Sequence, residues 1–409
     1  MRVFARVTLP LAAVNFTNQA SRSVVATVGP LMAVELGLSA SGLGALAAVF
    51  FASYALAQLP IGVAMDIYGA RRVQTVLALV AALGFLLCGL APDTGVLAVG
   101  RFITGIGIAG ALIGIMQAGR QWYRPDQLAQ TTGAAVFIGA SGGLMATVPV
   151  QALLPYIGWR GAFLGLAALA CCVSLWVRLS VPLGPPGFKP PPRRSLVAEI
   201  AEFGRIFRHS EFLRFIPALG LMSAVVFTFQ GLWAGPWLRD VGALPDLTRA
   251  NVLLCYALGM MTGNLISGHL ASLAQRRGSD PMMVPYAGMG GMLVFQALLL
   301  WHPGGAPLLA LLWFGFAFCG SCGPASYSLI AQRFPPALVG RVATVMNGSM
   351  LAMVFVLQNA VGWVLDQWPR TASGGWDPAG YGWAMAAILL GQVLTIGWLL
   401  AAPLVLRKA

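Results

Sequence analysis

Long apolar stretches recur along the whole chain, and they restrict its fold more than any other feature. Of its 409 residues, 58% are hydrophobic and only 9% are charged, whereas soluble domains carry about 25% charged residues. A membrane-spanning helix needs roughly 17–25 apolar residues. Twelve stretches of comparable length occur, at 9–33, 41–65, 73–91, 95–118, 129–155, 161–181, 213–235, 249–272, 282–302, 306–331, 340–364 and 379–405. Because lipid offers no partner for an unpaired backbone group, these stretches must be helices. The sequence therefore predicts an all-α membrane protein with twelve transmembrane helices.

The basic residues are distributed unevenly between the two sides of the predicted membrane. If the N-terminus is cytoplasmic, nineteen of the 25 Lys and Arg fall on the cytoplasmic side and four on the opposite side. This asymmetry is typical of inner-membrane proteins, and it predicts that both termini are cytoplasmic. The net charge of +13 is thereby explained by topology, so we expect no nucleic-acid partner.

A proline-rich segment divides the twelve spans into two groups of six. We predict an N-terminal bundle at 1–181, a cytoplasmic linker at 182–211 and a C-terminal bundle at 212–409. The linker begins with closely spaced prolines, which favour an extended chain, and continues as a short amphipathic helix.

The most specific motif lies between the second and third spans. It reads Gly62-x-x-x-Asp66-x-x-Gly69-x-Arg71-Arg72. Gly62 would allow close helix approach, Gly69 a tight turn, and Asp66 a charge pair or a helix-end contact. The pattern resembles the loop between helices 2 and 3 of the major facilitator superfamily, where it latches two helix bundles in one of two states.

The resemblance extends over essentially the whole chain. Gly268 to Arg277 echoes the motif after span eight, with Ser272 in place of the acid. Twelve spans in two related halves with a basic central loop is the plan of this superfamily. The segment from Arg101 to Gly105 in span four also resembles the family, and this likeness gives Arg101 and Gly105 a role in coupling or gating.

Span one carries polar residues on one helix face. Asn15, Asn18, Gln19 and Arg22 follow the spacing i, i+3, i+4 and i+7, which is the repeat of a single helical stripe. An arginine at a helix centre costs roughly 2.5–3.5 kcal/mol on insertion scales. The stripe must therefore line a packed seam between helices or a watery cavity, and we favour the cavity.

The acidic residues offer Arg22 no counter-charge within a span, because all twelve lie at span ends or in loops. A substrate anion or dipole would fill this role. The segment from Arg22 to Pro30 also resembles the first helix of the family's organic-anion symporters, although Ser21 stands where those proteins have an acid. Only Glu35 and His269, each near a span end, suggest themselves as carriers of a coupling proton.

The second half offers weaker candidates. Gln230, Trp233 and Asn347 are predicted to line the substrate cavity as amides and an aromatic. An alternative is a soft-metal site, because thiols at i, i+3 share a helix face and can bind Cu(I). That site would comprise Cys319, Cys322, Met346 and Met350. Such residues also pack as ordinary apolar groups, and that interpretation is preferred.

Together these features predict a secondary transporter that works by alternating access, not an enzyme. We expect uptake of a small anionic or polar-aromatic solute by a monomer in the cell inner membrane. We expect no cofactor, and either symport of a proton or exchange with a counter-substrate. Export, copper import and a non-transporting sensor of the same fold stay open as alternatives.

Overall fold

The computed structural model describes residues 3–184, 204–301, 304–335, 338–371 and 374–406, and helices dominate them. No strand occurs in these ranges, and one isolated bridge joins Arg370 to Trp376. The first half contains α1 (Leu9–Glu35), α2 (Ala40–Leu90), α3 (Thr94–Trp122), α4 (Pro125–Met145) and α5 (Val148–Ser180). The second half contains α6 (Ser210–Asp240), α7 (Asp246–Arg276), α8 (Met283–Leu300), α9 (Ala306–Gly320), α10 (Gly323–Ala331), α11 (Val339–Leu365) and α12 (Pro378–Leu406). Most of the predicted linker, from 185 to 203, lies outside the described residues.

Two of the helices contain a sharp break at a glycine. α2 includes predicted spans two and three, and Gly69 between them has φ 79° and ψ 157°. α5 is interrupted in the same way at Gly158, with φ 62°. A residue with a side chain rarely adopts such a positive φ, so glycine lets the chain change direction at these points. The turn predicted at Gly69 is confirmed.

Within the described ranges, eight continuous helices are long and apolar enough to cross a membrane. Shorter apolar helices occur at Thr131–Met145 and Ala306–Gly320. α1 has sufficient length at 27 residues, but its polar stripe lowers its mean hydropathy. Together these eleven helices of the described ranges account for the twelve predicted spans, because α2 contains two of them.

The chain divides into two compact units. The first comprises Met1–Val28 and Leu46–Glu199, and the second comprises Gly29–Ala45 and Ile200–Ala409. The end of α1 and the start of α2 thus pack with the second unit, although they lie in the predicted N-terminal bundle.

In the first unit, glycines let α3 approach α2 closely. A Cβ built on Gly105 would lie well inside 3.0 Å of the Phe50 carbonyl oxygen and of Ser53 Oγ. A Cβ on Gly107 would collide with the backbone of Ala81 in the same way. Small residues at these positions allow backbone-to-backbone packing, which drives helix association in lipid.

The core of the second unit is aromatic. Trp313 lies against Phe229 and Trp237, each with a ring-centroid distance of 5.3 Å, and against Phe316 at 5.5 Å. Edge-to-face and tilted pairs of this kind add roughly 0.5–1.5 kcal/mol each beyond burial. These rings join α6 to α9 and fix the position of the polar residues on α6.

Candidate substrate site and gating elements

The predicted stripe of α1 is mostly buried. Asn15, Asn18 and Arg22 are between 2% and 7% exposed, and Gln19 is half-buried. A Cβ built on Gly139 of α4 would collide with the Asn15 side chain. Asn15 therefore packs at a helix seam, which is the plainer of the two interpretations open from the sequence.

Tyr54 of α2 contacts two further residues of the stripe, Asn18 and Arg22. Asn18 Nδ2 donates to the Tyr54 hydroxyl at 3.3 Å, and the Arg22 guanidinium lies 4.9 Å from the Tyr54 ring centroid. Asn18 Oδ1 has no hydrogen-bond partner within the described part of the chain. A buried amide oxygen without a donor is costly, so it is poised to accept a hydrogen bond from a bound solute or water.

Arg101 of α3 lies on the neighbouring ring of α2. Its guanidinium carbon is 4.3 Å from the Phe50 centroid, and the side chain is 2% exposed. Its Nε and Nη1 atoms are buried without an acceptor among the residues that the structure describes. Phe50 and Tyr54, one helical turn apart, meet edge to face at 6.3 Å. One aromatic face of α2 thus carries both buried arginines of the first unit's spans.

Sequence reasoning missed the role of Phe50 and Tyr54. Their spacing of i, i+4 places them on one helix face, but aromatic residues at that spacing are common in apolar spans. Their role could have been predicted only with the knowledge that Arg22 and Arg101 face the same side of α2.

The candidates of the second unit lie on two elements. Gln230 and Trp233 fall in a π-helical turn of α6 at Phe229–Trp233, a distortion that is frequent at functional sites. Trp233 is fully buried and its ring meets that of Trp376 at 6.1 Å. Trp233 Nε1 has no acceptor in the described ranges. Asn347 lies on α11 and is half-buried.

The loop at 62–72 contacts α3 and α5 of the first unit. Arg71 donates twice to the carbonyl of Arg178, from Nε at 3.1 Å and from Nη2 at 2.7 Å. A cation at that position also interacts favourably with the C-terminus of α5. Asp66 is exposed and accepts from Gln117 Nε2 at 3.4 Å, and Arg72 is exposed.

The close helix approach predicted at Gly62 is not found. A Cβ built there meets no atom within 4 Å in the part of the chain that the structure describes. Open space therefore surrounds this position, and the glycine imposes no packing constraint against the described residues in this conformation.

The sulfur atoms of the alternative metal site face other residues. A Cβ built on Gly291 of α8 would lie 2.7 Å from Cys319 Sγ, and one on Gly288 would lie 2.9 Å from Cys322 Sγ. Both thiols therefore pack against glycines of α8. Met346 and Met350 are buried on α11. No group of three or more His, Cys, Asp or Glu within the described ranges is suited to hold a metal ion.

Apolar helices in two units, with arginines buried inside the spans, define the class of multispan membrane transporters. The family profile of the Major Facilitator Superfamily matches residues 11–358. The chain belongs to this superfamily, and the predicted fold of twelve transmembrane helices in two six-helix bundles is confirmed.

Individual relatives are distant. The probable sulfoacetate transporter SauU of Cupriavidus necator is 24% identical over 355 residues, which cover 82% of this chain and 80% of that protein. Monocarboxylate transporter 11 of Homo sapiens is 28% identical over 84% of this chain and 72% of its own length. Among solved structures, a bacterial homologue of the human lysosomal transporter Spinster, inward-facing and unoccupied, aligns with a TM-score of 0.76 at 18% identity, covering 98% of both chains. That last likeness concerns the fold alone.

Proposed function

We propose that this transporter takes up a small organic anion bearing a carboxylate or sulfonate. The observation that carries the proposal is Arg101, whose guanidinium is 2% exposed and has two nitrogen atoms without an acceptor in the described part of the chain. A buried charge without a counter-charge costs several kcal/mol. A substrate anion would supply the missing charge, and its two oxygens match the planar donor fork of arginine.

The aromatic face of α2 supports the same interpretation. Phe50 lies beneath Arg101, and Tyr54 lies beneath Arg22. A ring stabilises a cation by about 2 kcal/mol when water is excluded, without neutralising its charge. The Arg101 guanidinium can thus be held in place while its Nε and Nη1 donors, which have no acceptor among the described residues, stay directed at a solute. Asn18 and Gln19 would complete the polar lining within the first unit.

The relatives favour anions over neutral solutes. One is named for sulfoacetate and another for monocarboxylates, which are small molecules with a carboxylate or sulfonate. Uptake is the direction we propose because the segment from Arg22 to Pro30 resembles organic-anion symporters. The charge asymmetry supports an inner-membrane location with both termini in the cytoplasm.

The source of coupling energy is proposed to be a proton or a counter-substrate. Glu35 and His269 are both exposed, so neither is a buried proton carrier in this conformation. Exchange of one anion for another needs no such carrier, because the returning anion would occupy the same arginines.

The proposal is tested by uptake into proteoliposomes. The panel comprises radiolabelled sulfoacetate, propionate and benzoate, with neutral nicotinamide as the uncharged comparison. Purified protein is also screened for thermal shifts, because a ligand at 100 times its dissociation constant adds about 2.7 kcal/mol of apparent stability. Arg101→Gln should lower affinity for the anion at least tenfold, and Arg101→Lys should retain part of it.

The matched control is Arg160→Gln. Arg160 also lies on an aromatic ring, 4.2 Å from the Trp159 centroid, but it donates to the Ala91 carbonyl at 3.3 Å. This control should leave anion affinity unchanged. Anion binding that survives Arg101→Gln would refute the site. A thermal shift with nicotinamide alone would indicate that the substrate is a polar-aromatic solute and not an anion. Accumulation of the solute within inside-out vesicles would reverse the proposed direction.

A further inference from the structure

The segment Gly29–Ala45, where α1 ends and α2 begins, is held by the second unit. A Cβ built on Gly29 would lie 3.2 Å from Leu232 Cδ1, and one on Gly44 would lie 2.5 Å from the Gln358 carbonyl oxygen. Leu38, Ala40 and Leu43 are buried. The chain enters the second unit at Gly29 and returns to the first unit after Ala45.

Asp366, which follows α11, binds the first turn of α2. Its Oδ1 accepts from the backbone N–H of Ala40, and its Oδ2 accepts from that of Ser41, both at 2.9 Å. The next N–H, of Gly42, donates to Ser39 Oγ at 3.0 Å. The free N–H groups of this helix end are therefore satisfied partly by a local cap and partly by a carboxylate about 325 residues away in sequence.

Two further contacts join the same elements. Arg370 Nη2 donates to the Leu38 carbonyl. A Cβ built on Gly362 of α11 would lie 2.6 Å from the Ala40 carbonyl oxygen, so α11 and α2 touch through their backbones. Asp366 thus acts beside a close backbone approach of α11 to α2, and its charge meets the positive end of the α2 dipole.

The electrostatics of Asp366 fit an ionised contact. Partial burial raises the pKa of this carboxyl, but hydrogen bonds from Ser41, Ala40 and Ser39 outweigh that effect and leave the pKa below its usual value. Charge-assisted hydrogen bonds of this kind are about twice as strong as neutral ones.

We propose that Asp366 is a gating residue of the transport cycle, a latch that holds the segment Gly29–Ala45 on the second unit and must release it each time the transporter changes state. The segment connects two stretches of the first unit, so movement between alternating-access states cannot leave all its contacts intact. The bonds at Ala40 and Ser41, together with the one from Arg370 to the Leu38 carbonyl, are the charged and directional ones among those contacts. Their strength sets how often the segment leaves.

This inference rests on the transporter class and not on the identity of the solute. The test therefore requires no substrate. In full-length protein in which the six native cysteines are replaced, Leu232→Cys introduces a reporter thiol at a fully buried site beneath Gly29. A water-soluble methanethiosulfonate reagent labels it only when the segment departs.

Asp366→Ala should raise the labelling rate of the reporter about tenfold, because two charge-assisted hydrogen bonds are lost. Asp366→Asn should give an intermediate rate, since its amide oxygen can still accept one hydrogen bond but carries no charge. The matched control is Asp377→Ala. Asp377 also caps a helix start in the second unit, accepting from Ala379 N at 2.8 Å, but it joins no distant segment among the residues that the structure describes. It should leave the rate unchanged.

Hydrogen exchange of the amides at 40–42 distinguishes release of the segment from fraying of the helix end. If Asp366→Ala speeds exchange there while reporter labelling stays at the parent rate, Asp366 is only a helix cap and the proposal is overturned. An equal rise with Asp377→Ala would overturn it as well, since general loosening would then be the cause. Monodisperse elution from a size-exclusion column and an unchanged helical circular dichroism spectrum identify the variants that fold. If Asp366→Ala does not fold, Asp366→Asn serves in its place because it preserves the shape of the side chain.

Discussion

Gly105 offers the sharpest test of the packing that positions Arg101. In Gly105→Ala the added Cβ would overlap Ser53 Oγ and the Phe50 carbonyl oxygen. The serine can rotate, but the carbonyl belongs to the backbone of α2. The two helices must therefore separate by something on the order of 1 Å, and overpacking of this kind costs about 1–3 kcal/mol.

The same displacement affects the buried charge. Arg101 lies one helical turn before Gly105, and its guanidinium carbon is 4.3 Å from the Phe50 ring centroid. Separation of α3 from α2 weakens this contact, which contributes about 2 kcal/mol in a desolvated site. Gly105→Ala should thus lower both thermal stability and anion affinity.

The assay is thermal unfolding of detergent-purified protein at one fixed scan rate, because membrane proteins commonly unfold irreversibly. We expect the midpoint to fall by several degrees, at roughly 2–4 °C per kcal/mol. Gly165→Ala in α5 is the matched control, since a Cβ there meets nothing within 4 Å. It should leave the midpoint unchanged or raise it slightly through better helix propensity. Equal midpoints for the Gly105 variant and the parent would refute the packing.

Three further outcomes are expected. Tyr54→Phe removes the acceptor of Asn18 but keeps the ring beneath Arg22, so anion affinity should fall less than threefold, whereas Tyr54→Leu should lower it about tenfold in the same thermal-shift titration. Hydrogen bonds lower the pKa of Asp366 while it holds the segment. The ionised carboxylate therefore stabilises the latch at every pH above the pKa of the released carboxyl. This stabilisation is lost as the pH falls through the lower pKa of the latched carboxyl. The labelling rate of the reporter at Leu232 in the Asp366 parent is divided at each pH by that of an exposed reference cysteine, because only the thiolate reacts. This ratio should be flat from pH 8 to 5 and rise only below about pH 4. Cys319→Ser with Cys322→Ser should leave cellular copper content and copper sensitivity unchanged, because the thiols pack against glycines; a change in either would restore the metal interpretation.

Much of the fold could be predicted because the bilayer simplifies the problem. Lipid requires each span to satisfy its own backbone, so apolar length alone indicates helix. The turn at Gly69 was predictable for a similar local reason, since a motif with glycine between two spans needs a sharp change of direction. The resemblance to the family then predicted how the helices group into two bundles.

The details of the site could not be predicted so fully, because they depend on contacts between distant residues. The stripe of α1 identified Arg22 and Asn18, but nothing in it indicates that Tyr54 lies beneath them. Asp366 appeared in the sequence only as an acid at a span end. Its function at the start of α2 depends on a packing arrangement that brings residues 40 and 366 together. The open space at Gly62 could not be predicted from the sequence either, because a glycine motif does not indicate whether a neighbouring helix is present in a given conformation.

The placement of Gly29–Ala45 bears on how this protein can be divided and rebuilt. A fragment ending at residue 181 would contain this segment but none of its packing surface on α6 and α11. Leu38, Ala40 and Leu43, all buried in the whole chain, would then face lipid or water with no partner. A split protein would therefore fold only when both halves are made together, because the second half supplies the surface against which the segment Gly29–Ala45 of the first half packs.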